Sequence, residues 1–173
     1  MQLMPSVNEE TQMRLRRLEL KDAPLMLEWM HDEEVTRNLR ANFKNKTLED
    51  CEAFIISSWN CSSDLHLAIA DINDTYQGTV SLKKIDSAAS SAEFAITIRK
   101  GAMGNGLAYA GMKDILRIGK DELNLNAIYW CVDSGNHRAV RFYDKNGFIR
   151  TTTIPETIKT RYTGCNSLLW YCW

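Results

Sequence analysis

From Met13 to Leu20 apolar positions alternate with charged ones, so that Leu15 faces away from Arg14 and Arg16, and the pattern predicts a strand. The period changes at Lys21-Asp22-Ala23-Pro24. Asp22 is placed to accept from the first free N–H groups of a helix, and Pro24 falls in the first turn, where its missing N–H does no harm. The helix this predicts carries Leu25, Met26, Trp29 and Met30 on one side. A polar stretch, His31 to Lys46, leads to Thr47-Leu48-Glu49-Asp50, which reads as a capping-box start to a second helix through about Ser58. Leu65–Ala70 and Gly78–Lys83 are predicted strands joined by the Asn73-Asp74 turn, an antiparallel hairpin.

After the small-residue loop Asp86 to Ser91, Glu93–Ile98 reads as a strand, glycines follow at 101, 104 and 106, and Leu107–Gly119 has the periodicity of a helix. Ala127–Val132 predicts another strand, about Asn136 to Lys145 a helix, and Phe148–Thr153 and Asn166–Cys172 the last two strands. The order β-α-α-β-β-β-α-β-α-β-β implies an α/β class fold, a mixed sheet flanked by helices. Residues 1–12 are polar and are expected to form a flexible tail ahead of a single domain at 13–173.

Composition narrows the class. With 173 residues, 45% of them hydrophobic, the chain has the length of one domain and the apolar content for a sizeable core. A formal charge of −1 gives no global pull toward nucleic acid or an anionic membrane. The start MQLMPSVNEETQ has no basic segment followed by an apolar one, and no apolar run approaches the length of a membrane span, so a cytoplasmic protein is expected. Five cysteines, at 51, 61, 131, 165 and 172, match no zinc spacing and are expected reduced, with Cys131 inside a strand. Histidines 31, 66 and 137 are scattered, and no metal is expected.

The stretch from Glu93 through Leu116 carries the first chemistry. A glycine-rich turn opening a helix presents N–H groups with no intrahelical partner, at the positive end of the helix dipole, and can hold phosphate. Such a turn also serves as a plain connection between strand and helix. The P-loop pattern requires Lys and Ser or Thr after the last glycine, whereas Leu107 and Ala108 follow Gly106. A dinucleotide loop requires an acidic residue at the end of the next strand, and Asp121 and Glu122 precede that strand. What remains is a cofactor with a pyrophosphate, gripped in mid-domain without a lysine.

The second constellation runs from Val132 to Phe148. Asn136, Ala139 and Tyr143 lie along one face of the predicted helix, an amide at one end and a phenol at the other, suited to an elongated polar ligand. Read separately, Asn136 is also an ordinary N-cap, Tyr143 a core aromatic and Gly147 a helix-terminating glycine.

Together, MGNGLA, a strand, and N-x-x-A-x-x-x-Y-x-x-x-G-F resemble the GNAT superfamily of acetyl-coenzyme A dependent N-acetyltransferases over essentially Met13 to Trp173. Glu28-Trp29, Glu34-Val35 and Gly78-Thr79-Val80 resemble the branch of ribosomal-protein-alanine and sugar-amine acetyltransferases. The resemblance implies a GNAT-like fold with a splayed central strand pair, and acetyl-CoA as cosubstrate. Ile96 and Ile98 would bond the pantetheine arm, Met103, Gly104, Asn105, Gly106 and Leu107 the pyrophosphate, and Asn136 and Tyr143 the arm and the thioester sulfur. Gly101 stands where the family usually has Gln or Arg, and Arg99 or Lys100 would supply the missing charge.

By the same resemblance Tyr143 is the expected acid, the Ile98 N–H an oxyanion donor and Glu93 the base, while Cys131 replaces a glutamate of some peptide-acetylating relatives. Transfer is expected by direct attack in a ternary complex, on a primary amine of a small molecule, such as an amino sugar nucleotide, or of a protein N-terminus. Trp29, Arg37 and Phe43 are the expected acceptor-binding residues, from the segment that roofs the acceptor pocket in the family. The protein is expected as a monomer or homodimer. A non-catalytic acyl-CoA sensor or complex subunit is the alternative.

Overall fold

The computed structural model of the chain describes residues 7–8 and 12–173, and the remainder of the expected tail lies outside the described residues. Strand β1 (Val7–Asn8) pairs antiparallel with β2 (Met13–Arg17), whose Met13 and Leu15 are buried while Arg14 and Arg16 point the other way. The helix α1 (Ala23–Met30) follows with Pro24 in its first turn, but Asp22 does not cap it. Asp22 is instead buried and accepts from the Glu19 N–H at 2.9 Å and from both terminal nitrogens of Arg16 at 2.8 Å. A buried carboxylate needs a full charge partner, and the guanidinium of β2 outcompetes the helix terminus.

Within the polar stretch the short α2 (Glu33–Thr36) forms because the Asp32 side chain accepts from the Glu34 N–H at 2.9 Å. The α3 helix (Leu48–Ser58) opens on the expected reciprocal pair: Asp50 N–H to Thr47 Oγ1 at 3.2 Å and Thr47 N–H to Asp50 Oδ2 at 2.9 Å. Then come the hairpin β3 (Leu65–Ala70) and β4 (Tyr76–Asp86), β5 (Ser91–Ile98), α4 (Leu107–Asp121), β6 (Ala127–Asp133), α5 (His137–Lys145), β7 (Ile149–Thr151), α6 (Glu156–Lys159) and β8 (Leu168–Cys172).

The sheet runs in the order β1-β2-β3-β4-β5-β6-β8-β7, antiparallel except where β5 meets β6. The strand expected over Phe148–Thr153 shortens to β7, because Phe148 turns into the core and pairing with β8 ends at Thr151. Between β7 and β8 the chain forms α6 and a single turn of 3₁₀ helix, Thr160–Tyr162, neither of which was expected.

Two apolar clusters sandwich the sheet. One joins Leu15, Ile69, Val80, Phe94, Ile98 and Trp130 to Leu107, Ala110, Ile115 and Tyr143, and therefore lies under α4 and α5. The other joins Ala68 and Tyr76 to Met26, Trp29, Cys51 and Ile55, under α1 and α3. Side chains alternate between faces along a strand. Ala68, Thr79 and Thr97 are cross-strand neighbours, so Thr97, Ala95 and Glu93 share the α1/α3 face, whereas Phe94, Ile96 and Ile98 share the α4/α5 face.

Candidate active site

The parallel pairing of β5 with β6 consists of Ser91–Ala127, Ala92–Ile128 and Glu93–Tyr129, and stops there. Both strands run on, β5 to Ile98 and β6 to Asp133, so one side of Phe94–Ile98 has no strand against it. Backbone N–H and C=O groups require partners, and a parting of this kind inside a sheet is a place for a ligand to act as the missing strand.

The parting opens at the glycine turn. Gly104 and Gly106 both adopt φ of +84°, a conformation that side-chain-bearing residues resist. Gly106 is the N-cap of α4. The Met103 N–H is taken by the Lys100 carbonyl at 3.2 Å and the Leu107 N–H by Asn105 Oδ1 at 3.3 Å. Between Met103 and Leu107, the N–H groups of Gly104, Asn105 and Gly106 have no partner among the described residues.

The cations expected to assist are occupied. Arg99 pairs with both oxygens of Glu28, at 3.0 and 3.1 Å, and Lys100 with Glu34 at 2.9 Å, tying the turn to α1 and α2. Arg138, missed in the sequence reading, reaches back from α5 and places Nη1 at 3.4 Å from the Met103 sulfur. Its signal was a basic residue two positions beyond Asn136.

On the α4/α5 face Tyr143 is buried against Trp130 and Tyr171, with ring centroids 5.5 and 5.0 Å away. Its hydroxyl has no hydrogen-bond partner among the described residues. Burial pushes the phenol above its ordinary range, so it keeps its proton. The indole N–H of Trp130, the first β6 residue past the last pair, is also buried without a partner. Asn136 caps α5, its Oδ1 accepting from the Ala139 N–H at 3.2 Å, which leaves its amide NH₂ to donate elsewhere. Unpartnered donors along both walls of the parting fit an elongated ligand rich in carbonyl and phosphate oxygens.

On the opposite face Glu93 is 4% exposed and sits at the last paired position. One of its oxygens accepts from the Arg161 guanidinium and the other from the Tyr162 hydroxyl. Tyr162 also lies against Cys131, whose thiol is pushed up to about 11 chiefly by burial, and it carries the Arg40 guanidinium over its ring at 4.3 Å. Trp170, the cross-strand neighbour of Cys131, meets the edge of that ring at 5.1 Å. A cleft of about 400 Å³ lies between this turn and β8, bounded by Tyr162, Cys165, Trp170, Glu156 and Lys159.

The expected acceptor residues are only partly here. Trp29 is 6% exposed, its indole donates to Tyr76 at 3.0 Å, and Phe43 packs edge-on against it at 5.1 Å, so both brace α1. Arg37 is exposed at the end of α2. Arg40, from the same connection, reaches the ring of Tyr162. Arg161 and Tyr162 were missed altogether, since their stretch has no periodicity and their partner is 68 and 69 positions away.

Among the described residues, no three His, Cys, Asp or Glu side chains gather as a metal site, and no helix is long and apolar enough to cross a membrane.

Known proteins agree with this architecture. A family model described as an acetyltransferase (GNAT) domain matches residues 12–149. Spermidine N-acetyltransferase from Vibrio cholerae, solved in complex with CoA and spermine, superposes with a TM-score of 0.78 at 22% identity, over 94% of this chain and 95% of that one. A structure described as a probable acetyltransferase superposes at 0.79 with 20% identity, over 98% and 96%. A dodecameric form of the Vibrio cholerae enzyme superposes at 0.70 with 23% identity, over 94% and 93%. No curated protein matches the sequence. The parted strands, the cradle at the head of α4 and the match over most of the chain converge: this protein belongs to the acetyltransferase (GNAT) family, and acetyl-CoA is the cosubstrate of its N-acetyl transfer.

Proposed function

We propose that the enzyme acetylates a primary amine of a small molecule by direct attack in a ternary complex, with acetyl-CoA in the parting and the amine entering from the α1/α3 face. The observation that carries this is the end of β5–β6 pairing at Glu93–Tyr129, which leaves an opening between the two faces of the sheet. Gly104, Asn105 and Gly106 would receive the pyrophosphate, with Ile96, Ile98 and Asn136 along the arm.

An amine must be neutral to attack, the carbonyl oxygen gains negative charge, and the departing sulfur needs a proton. Glu93 and Tyr143 lie on opposite faces, one suited to take a proton from the amine and the other to give one to sulfur. The Ile98 N–H serves as the oxyanion donor in this reading.

The cleft of about 400 Å³ beside Tyr162 has the size of a small-molecule site. Lys159 in its lining and Arg40 over the ring of Tyr162 favour an acceptor with an anionic group, such as an amino sugar nucleotide, over a polyamine of the kind bound by the Vibrio cholerae relative. The test is free-thiol release from acetyl-CoA with an amino sugar nucleotide, spermidine and a peptide in parallel. The first is expected to turn over fastest. Thermal stabilisation by acetyl-CoA with no thiol release from any amine would make the protein a sensor.

A further inference from the structure

Glu93 has its carboxylate where an acceptor amine cannot touch it. Its side chain is 5% exposed, and each oxygen is already engaged, one by Arg161 and one by Tyr162. A base in that position works only through a neighbour. Arg161 cannot serve, because a guanidinium does not give up its proton in a protein. Tyr162 can: a hydroxyl donates and accepts at once, and Tyr162 is a half-buried residue that bonds Glu93 through its hydroxyl and also lines the cleft.

We propose that Tyr162 is a catalytic residue of the acetyl transfer, its hydroxyl relaying the proton of the acceptor amine to Glu93. The inference rests on the transfer reading above. As the nitrogen lone pair forms the C–N bond, the N–H proton moves to the Tyr162 oxygen and the proton Tyr162 held moves to Glu93. The C–S bond breaks with its electron pair on sulfur, which takes a proton from Tyr143. Glu93 then holds one proton more and Tyr143 one fewer, and exchange with solvent restores both.

The surroundings suit a relay that never ionises the phenol. Burial, and then the bond to Glu93, raises Tyr162 above the ordinary phenol range, so its proton stays on until another arrives. The charged and titratable groups around it are Glu93 from β5, Cys131 from β6, Arg40 from the α2–α3 connection, its own neighbours Arg161 and Cys165, and Glu156 and Lys159 across the cleft. Arg161 holds the far oxygen of Glu93 and leaves the near one turned toward Tyr162.

Tyr162→Phe keeps the ring that lies under Arg40 and against Trp170, and removes the hydroxyl alone. Turnover is measured for the wild type, Tyr162→Phe, Glu93→Gln and the double variant, with CoA affinity measured beside each. Both single variants are expected to lose turnover on the order of 100-fold, with CoA affinity unchanged. The double variant is expected to be no slower than the slower single, because the two groups act as one unit. Wild-type turnover in Tyr162→Phe, or losses that multiply in the double variant, would overturn the relay alone. A wild type that binds acetyl-CoA and releases no thiol would overturn the transfer reading and the relay with it.

Discussion

Tyr143 and Arg138 show how one side chain is judged by what it leaves unpaired. Tyr143 packs among four aromatic rings and so has a structural part to play, yet its hydroxyl, like the indole N–H of Trp130, has no partner among the described residues. Tyr143→Phe preserves the packing and deletes the proton donor. We expect turnover to fall on the order of 100-fold while acetyl-CoA affinity, measured by calorimetry, stays the same. Equal losses in both would make Tyr143 a packing residue. Arg138 makes the opposite case, an exposed cation whose recorded neighbour is the Met103 sulfur of the glycine turn. With Arg99 and Lys100 paired to glutamates, Arg138 is a cation beside the turn suited to face a diphosphate. Arg138→Ala should weaken CoA binding by about tenfold, ~1.4 kcal/mol, with little effect on dephosphorylated pantetheine analogues; an equal effect on both would remove it from the phosphate site.

At the scale of elements, what the sequence displayed was whatever depends on near neighbours. The Thr47–Asp50 box, the β3–β4 hairpin and the glycine turn ahead of α4 are each set by residues within a few positions, and each stands where the pattern put it. Asp22 looked like a cap from its neighbours but answers to Arg16 across the turn, and Arg99 and Lys100 answer to Glu28 and Glu34. The Glu93–Arg161–Tyr162 cluster was out of reach because its members are joined only by the folded sheet.

Asp74 is a testable instance of such distant joining. At the hairpin turn it accepts from Lys21, from Arg14 at 2.6 Å and from Arg16 at 2.7 Å, fastening β2 and the entry to α1 onto the turn between β3 and β4. The bond to Lys21, then that to Arg14, holds its carboxyl well below the usual carboxylate range. A depressed value in the folded state gives stability that is present above the unfolded value of about 3.9 and is lost as pH falls below it. Asp74→Asn should therefore lower the urea midpoint at pH 7 and narrow its gap to the wild type at pH 3. A gap that holds constant with pH would mean that the charge is not what binds these elements.

For the whole molecule, the parting makes the sheet two pieces hinged on three residue pairs. One piece is β1 to β5, the other β6, β8 and β7, and beyond Glu93–Tyr129 they are parted by the opening in which we propose that the cosubstrate binds. A ligand bonding Ile96 and Ile98 on one wall and Asn136 on the other closes that gap as an added strand. It should therefore stabilise the protein in a localised way. At a hundredfold excess over its Kd, CoA should contribute about 3 kcal/mol, a rise in melting temperature of roughly 5–10 °C for a domain of this size. Amide hydrogen exchange separates this from general stabilisation. The protection gained should concentrate at Ile96, Ile98 and Gly104 to Gly106, with β3 and β4, already paired on both sides, changing least. A rise in melting temperature without protection at those five amides would mean that CoA binds somewhere other than between the strands, and that the opening in the sheet has another purpose.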